Sequence, residues 1–126
     1  GSTPLILASM AGREDVVAFL MDIEGVNVNM RTGDRGTALF VAVANRHAGV
    51  VKTILSKRGV NVNRRSQRLG EDSPLTLASQ TGQRDIVQLL LETEGIDINL
   101  QNGRGETALY LAMREGHQDI VRMLLQ

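Results

Sequence analysis

The chain has 126 residues, 42% of them hydrophobic and 2% aromatic, with 14 Lys and Arg set against 14 Asp and Glu and no cysteine. That length predicts one domain, the apolar fraction is too high for a disordered chain, and zero net charge argues against nucleic acid or a membrane surface held by bulk charge. Disulfides and thiolate metal sites are excluded, no apolar run reaches the roughly 18 residues of a membrane span, and no signal-peptide pattern is present.

Gly1 and Ser2 resemble a cloning scar, so the domain is expected over 3–126. At Thr3 the stretch TPLILASMAG opens a helix. The Thr3 hydroxyl suits an N-cap, and Pro4 suits the first helical position, where no amide bond is lost. Leu5 and Ala8 mark a core-facing stripe, and Gly12 can close the helix in the left-handed conformation. A second helix follows, with Val16, Val17, Leu20 and Met21 on one stripe. Asp15 lies in its first turn, where the helix dipole favours an anion. Gly25 is expected to end it, and an extended VNVN leads into a polar turn.

The same sentence is then written three more times. TALFVAVANR begins at Thr37, SPLTLASQTG at Ser73 and TALYLAMREG at Thr107, so the starts lie 34, 36 and 34 residues apart. The second-helix stripes become Val50, Val51, Ile54, Leu55, then Ile86, Val87, Leu90, Leu91, then Ile120, Val121, Leu124, Leu125. A period of this size marks stacked repeats, here about 3–36, 37–72, 73–106 and 107–126. One unit cannot bury both of its stripes, but a stack can. Leu5, Leu39, Leu75 and Leu109 should form one apolar column, and Ala8, Ala42, Ala78 and Ala112 a second. Arg46 stands where the other units have a helix-closing glycine, which predicts a strained or rearranged corner. Gly49 adds a helix-weakening residue, so the second unit is expected to be the least stable. The turn from Asn63 to Ser73 carries two extra residues. Units one and three share PLxLAS and units two and four share TALxxA, which reads as duplication of a two-unit ancestor. Both ends read as cut, so the chain is expected to be a fragment of a longer array. The alternative is copies that stack end to end.

TALYLAMREGHQDIVRMLL resembles the ankyrin-repeat pattern TPLHLAAxxGHxxIVxxLL, and GIDIN is similar to its GADVN; the resemblance covers 3–126. It implies an all-α fold, an α-solenoid of stacked helix–turn–helix ankyrin repeats with short β-hairpin fingers. It also implies an intracellular protein–protein interaction module. One departure stands out: Ile6, Phe40, Thr76 and Tyr110 replace the family's histidine, so its threonine–histidine bonding is expected to be lost and replaced by packing.

Chemistry-bearing patterns are few. NGRG at 102–105 lacks the GK[ST] ending of a phosphate-binding loop and the third glycine of a dinucleotide fingerprint, and reads as a turn. His47 and His117 have no metal or triad spacing, and the stack would spread Asp15, Asp85 and Asp119 along one edge. No enzyme, cofactor or metal is therefore expected. The distinctive segment is NRRSQRLGED at 63–72. It reads either as a solvated loop, whose longer closure costs little, or as a contact site where Arg64, Arg65 and Arg68 meet an acidic or phosphorylated peptide through forked hydrogen bonds. Nucleic acid is disfavoured, since neither net positive charge nor stacking aromatics accompany them. By the resemblance, fingers contribute Arg31, Asp34, Arg35, Arg64, Arg65, Gln67, Arg68, Gln101, Asn102, Arg104 and Glu106 to partner binding. First helices contribute Met10, Asn45, Gln80, Thr81, Arg114 and Glu115. Two other readings remain: a structural spacer or autoinhibitory stretch in a larger protein, and a small-molecule or nucleotide site.

Overall fold

The computed structural model describes residues 3–23, 25–31, 36–67 and 70–126. Eight helices follow one another among them: α1 (Pro4–Ala11), α2 (Glu14–Met21), α3 (Ala38–Ala44), α4 (Ala48–Leu55), α5 (Pro74–Gln80), α6 (Arg84–Leu91), α7 (Ala108–Arg114) and α8 (Gln118–Leu125). Each odd-numbered helix packs on its hairpin partner and on the odd-numbered helices of adjoining units; the even-numbered helices do the same. Two layers of helices therefore run the length of the stack.

Local chemistry sets each unit. The hydroxyls of Thr3, Thr37, Ser73 and Thr107 accept from the amides of Ile6, Phe40, Thr76 and Tyr110 at 3.1–3.2 Å. Pro4 and Pro74 occupy the first helical turn. The apolar columns form a continuous core: Leu5, Leu39 and Leu75 are buried, as are Ala8, Ala42, Ala78 and Ala112, while Leu109 packs against the core half-buried.

Of the two alternatives at Arg46 the strained one holds, and three other local expectations change. Arg46 adopts φ 63 where its counterparts Gly12 and Gly82 have φ 76 and 73, so the corner keeps its shape. The bond that closes it, His47 N–H to Ala42 O at 2.9 Å, matches Arg13 to Ala8 O and Gln83 to Ala78 O at 3.1 and 3.0 Å. The second helices end at Met21, Leu55 and Leu91, four residues before Gly25, Gly59 and Gly95, which serve the following turn. In the third unit, packing alone does not replace the histidine. The Thr76 hydroxyl accepts from the Ser73 amide at 2.9 Å and also bonds Asp72 Oδ1 at 3.1 Å. Finally, VNVN is a turn and not an extended run. Asn27, Asn61 and Asp97 accept through Oδ1 from the amide two residues on, at 3.0, 3.2 and 3.1 Å. Such side chains compete with the strand ladder, and no strand occurs among the described residues.

What joins the fingers is asparagine. Asn29 donates Nδ2 to Gly59 O at 2.7 Å and accepts from Asn61 N at 2.6 Å. One unit on, Asn63 repeats both bonds to Gly95 O and Asp97 N, each at 2.8 Å. Gly49 lies against a side chain of the neighbouring unit. A Cβ there would fall 2.3 Å from the Glu14 carboxyl carbon. The other units carry Asp15, Asp85 or Asp119 at this position, and an aspartate beside Glu14 would set two carboxylates together.

Candidate partner-binding surface

The fingers and the ends of the first helices carry the side chains that differ between units. Asp34, Arg35 and Arg68 lie outside the described residues. Among the rest, the structure separates side chains engaged internally from those left to solvent.

Arg31 and Arg65 act as rungs between fingers. Arg65 Nη1 donates to Gln101 O at 3.2 Å, and Arg31 Nη1 approaches Arg65 O at 3.5 Å. Asn102 is 5% exposed. Its Oδ1 accepts from the amides of Arg104 and Glu106 at 2.9 and 3.0 Å, and its Nδ2 donates to Asp72 and Glu106 carboxylates, both at 3.0 Å. A side chain so enclosed has nothing to offer a partner, so Asn102 leaves the contact set and becomes the residue that shapes its finger. Asparagine serves here because one group must accept from two amides and donate to two carboxylates.

Glu106 also bonds Arg114 Nη1 at 2.7 Å. Arg114 donates Nε to Glu115 at 3.0 Å and lies 5.8 Å from the centre of the Tyr110 ring. The Glu115 hydrogen bond, and behind it the Glu106 charge, hold this guanidinium above its ordinary pKa. Thr81 bonds Leu77 O and accepts from Gln83. Asn45 is exposed and bonds back to Val41 O at 2.8 Å. Met10 is half-buried, and its carbonyl lies 3.0 Å from His47 Nε2. Arg64, Gln67, Gln101 and Arg104 have side chains with no hydrogen bond or ion pair to another described residue; all but the half-buried Arg64 are exposed. They form the part of the set that remains available.

The longer finger keeps the closing bond of its neighbour. Ser66 N–H bonds Asp72 O at 2.9 Å where the next finger closes with Asn102 N–H to Glu106 O at 2.9 Å. The two extra residues therefore lie between Ser66 and Asp72. The Gly103 amide braces this tip by donating to Gly70 O at 2.8 Å.

Two features escaped the sequence reading. One is the junction role of the residue before each second helix: Gln83 Nε2 donates to Val43 O at 2.9 Å, while His47 and His117 Nε2 lie 3.0 and 3.1 Å from Met10 O and Gln80 O. The other is charge segregation. Residues 37–72 hold seven of the 14 Lys and Arg but two of the 14 Asp and Glu. Counting charge by repeat would have found it.

Among the described residues no group of His, Asp or Glu is placed to hold a metal, and no helix is long and apolar enough to cross a membrane. The family model for ankyrin repeats matches residues 1–66 and 65–126. The chain is 37% identical over 109 residues to the ankyrin repeat and KH domain-containing protein mask of Drosophila melanogaster, covering 86% of this chain and 3% of that protein. It is 35% identical over 106 residues to human ankyrin repeat and KH domain-containing protein 1, covering 84% and 4%. It is 33% identical over 106 residues to glycerophosphocholine phosphodiesterase gde1 of Schizosaccharomyces pombe, covering 84% and 9%. The chain thus spans a small fraction of the length of these relatives.

Proposed function

This chain belongs to the ankyrin-repeat family, whose arrays generally mediate protein–protein interaction, and from that premise we propose that it binds an acidic or phosphorylated protein segment across its fingers and first-helix ends. The observation that carries this reading is an excess of basic residues in one repeat of a repeated frame, with an arginine on its finger and another on the next that pair with no other described residue. Residues 37–72 hold seven Lys and Arg against two Asp and Glu, and the side chains of Arg64 and, on the next finger, Arg104 make no hydrogen bond or ion pair to another described residue. A frame ordered before binding loses little conformational entropy on association, and a free guanidinium can grip a carboxylate or phosphate with two parallel bonds.

Peptide display against the intact chain tests the proposal. Selected peptides should be enriched in Asp and Glu. Arg64→Glu should weaken their binding by roughly tenfold or more, the worth of one lost charged contact. Arg122→Glu, at an exposed position on the second helix of the last unit, should leave binding unchanged. Arg64 is the better probe than Arg65, because removing Arg65 also removes a finger rung. Equal binding by the Arg64→Glu protein would contradict the proposal.

A further inference from the structure

Grooves lie between the second helices of neighbouring units, and two of them differ in the side chains that line them. The groove between α2 and α4 measures about 230 Å³. The one between α4 and α6 measures about 830 Å³. At the first, Lys57 reaches across and donates Nζ to the Met21 carbonyl at the end of α2. At the second, the same repeat position holds Thr93, a short side chain whose hydroxyl turns back to Leu89 O at 2.8 Å. The Leu55 carbonyl, counterpart of that of Met21, receives no lysine.

The open groove has a defined chemistry. Half-buried Leu55, Val60 and Leu89 give it an apolar floor. Glu92 and Glu94 are exposed on the α6 side, and Lys52 and Arg58 are exposed on the α4 side. None of these four charges pairs with another of them. An ammonium entering beside the two glutamates would meet a carbonyl acceptor and complementary charge, while its methylene stem covered the leucines.

We propose that this groove is a docking site for a partner protein segment presenting a lysine side chain, seated between α4 and α6 as Lys57 is seated between α2 and α4. The template is the protein's own: a lysine stem along the second-helix ends, with its head on the carbonyl that closes the preceding helix. Acidic residues beside that lysine in the partner meet Lys52 and Arg58. The site shares no residue with the finger surface, so either can fail without the other.

An amide-resolved NMR titration of the chain tests this, using N-acetyl-lysine methylamide at about 20 mM, suited to a weak millimolar contact. N-acetyl-norleucine methylamide, which lacks the ammonium, is the control. The lysine compound should shift the amides of residues 56–60 and 92–94, and the norleucine compound should not. Thr93→Lys, which supplies the plug internally, should abolish the shifts without lowering Tm. Glu92→Gln with Glu94→Gln should weaken them, and this variant carries the test if Thr93→Lys does not fold. Absence of localised shifts, equal shifts from both compounds, or shifts undiminished in the folded variants would overturn the proposal.

Discussion

At the corner between the two helices of a unit, one glycine answers to two constraints. Gly82 has φ 73, and a Cβ added to it would lie 2.7 Å from the His117 ring of the next unit. Gly12 meets His47 in the same way at 2.8 Å. Arg46 can replace glycine because the following unit presents Gln83, which reaches the Val43 carbonyl without a ring against the corner. Gly116 has φ 77 and nothing within 4 Å. Gly116→Ala should therefore cost about 1–2 kcal/mol for the left-handed backbone alone. Gly82→Ala should cost roughly 2–4 kcal/mol, since overpacking adds to it. In a His117→Gln background the Gly82→Ala cost should fall to that of Gly116→Ala. Urea unfolding of the double-mutant cycle measures this coupling; additive costs would show that the ring does not set the penalty. The glycine was legible in the sequence as a helix stop. Its second role was not, because it depends on a side chain 35 residues away.

The helices were legible element by element, since caps and apolar spacing are local signals. The turns between units were legible only as turns. An asparagine that bonds its own backbone and the next unit's reads in sequence like part of an extended VNVN run, and nothing local distinguishes the two. In the fold, Asn63 is the joint: it donates to Gly95 O and accepts from Asp97 N. Asn99 occupies the same repeat position with an exposed side chain that makes no such bond. Asn63→Ala should cost about 1–2 kcal/mol, two partly exposed hydrogen bonds, and Asn99→Ala less than about 0.5 kcal/mol, as for a surface change. Equal losses in chemical denaturation would remove the asparagine joint from the account. The candidate surface was the least legible part. The resemblance placed Asn102 and Arg65 among the contacts, and burial and cross-unit bonding gave them internal roles.

At the scale of the whole molecule, stability is distributed along a line. Each unit contributes its own hairpin and a contact with its neighbours, and no residue pair far apart along the stack is needed to close the structure. Repetition made this architecture readable, whereas its charge pattern was hidden by a net charge of zero. Units bury one another's apolar sides, and Leu75, 2% exposed in the middle of the leucine column, reports on that burial directly. Urea unfolding of Leu75→Ala should show a loss of about 2–5 kcal/mol, the range for a leucine cut from a packed core. A loss below about 0.5 kcal/mol, the size of a surface substitution, would contradict the stacked core.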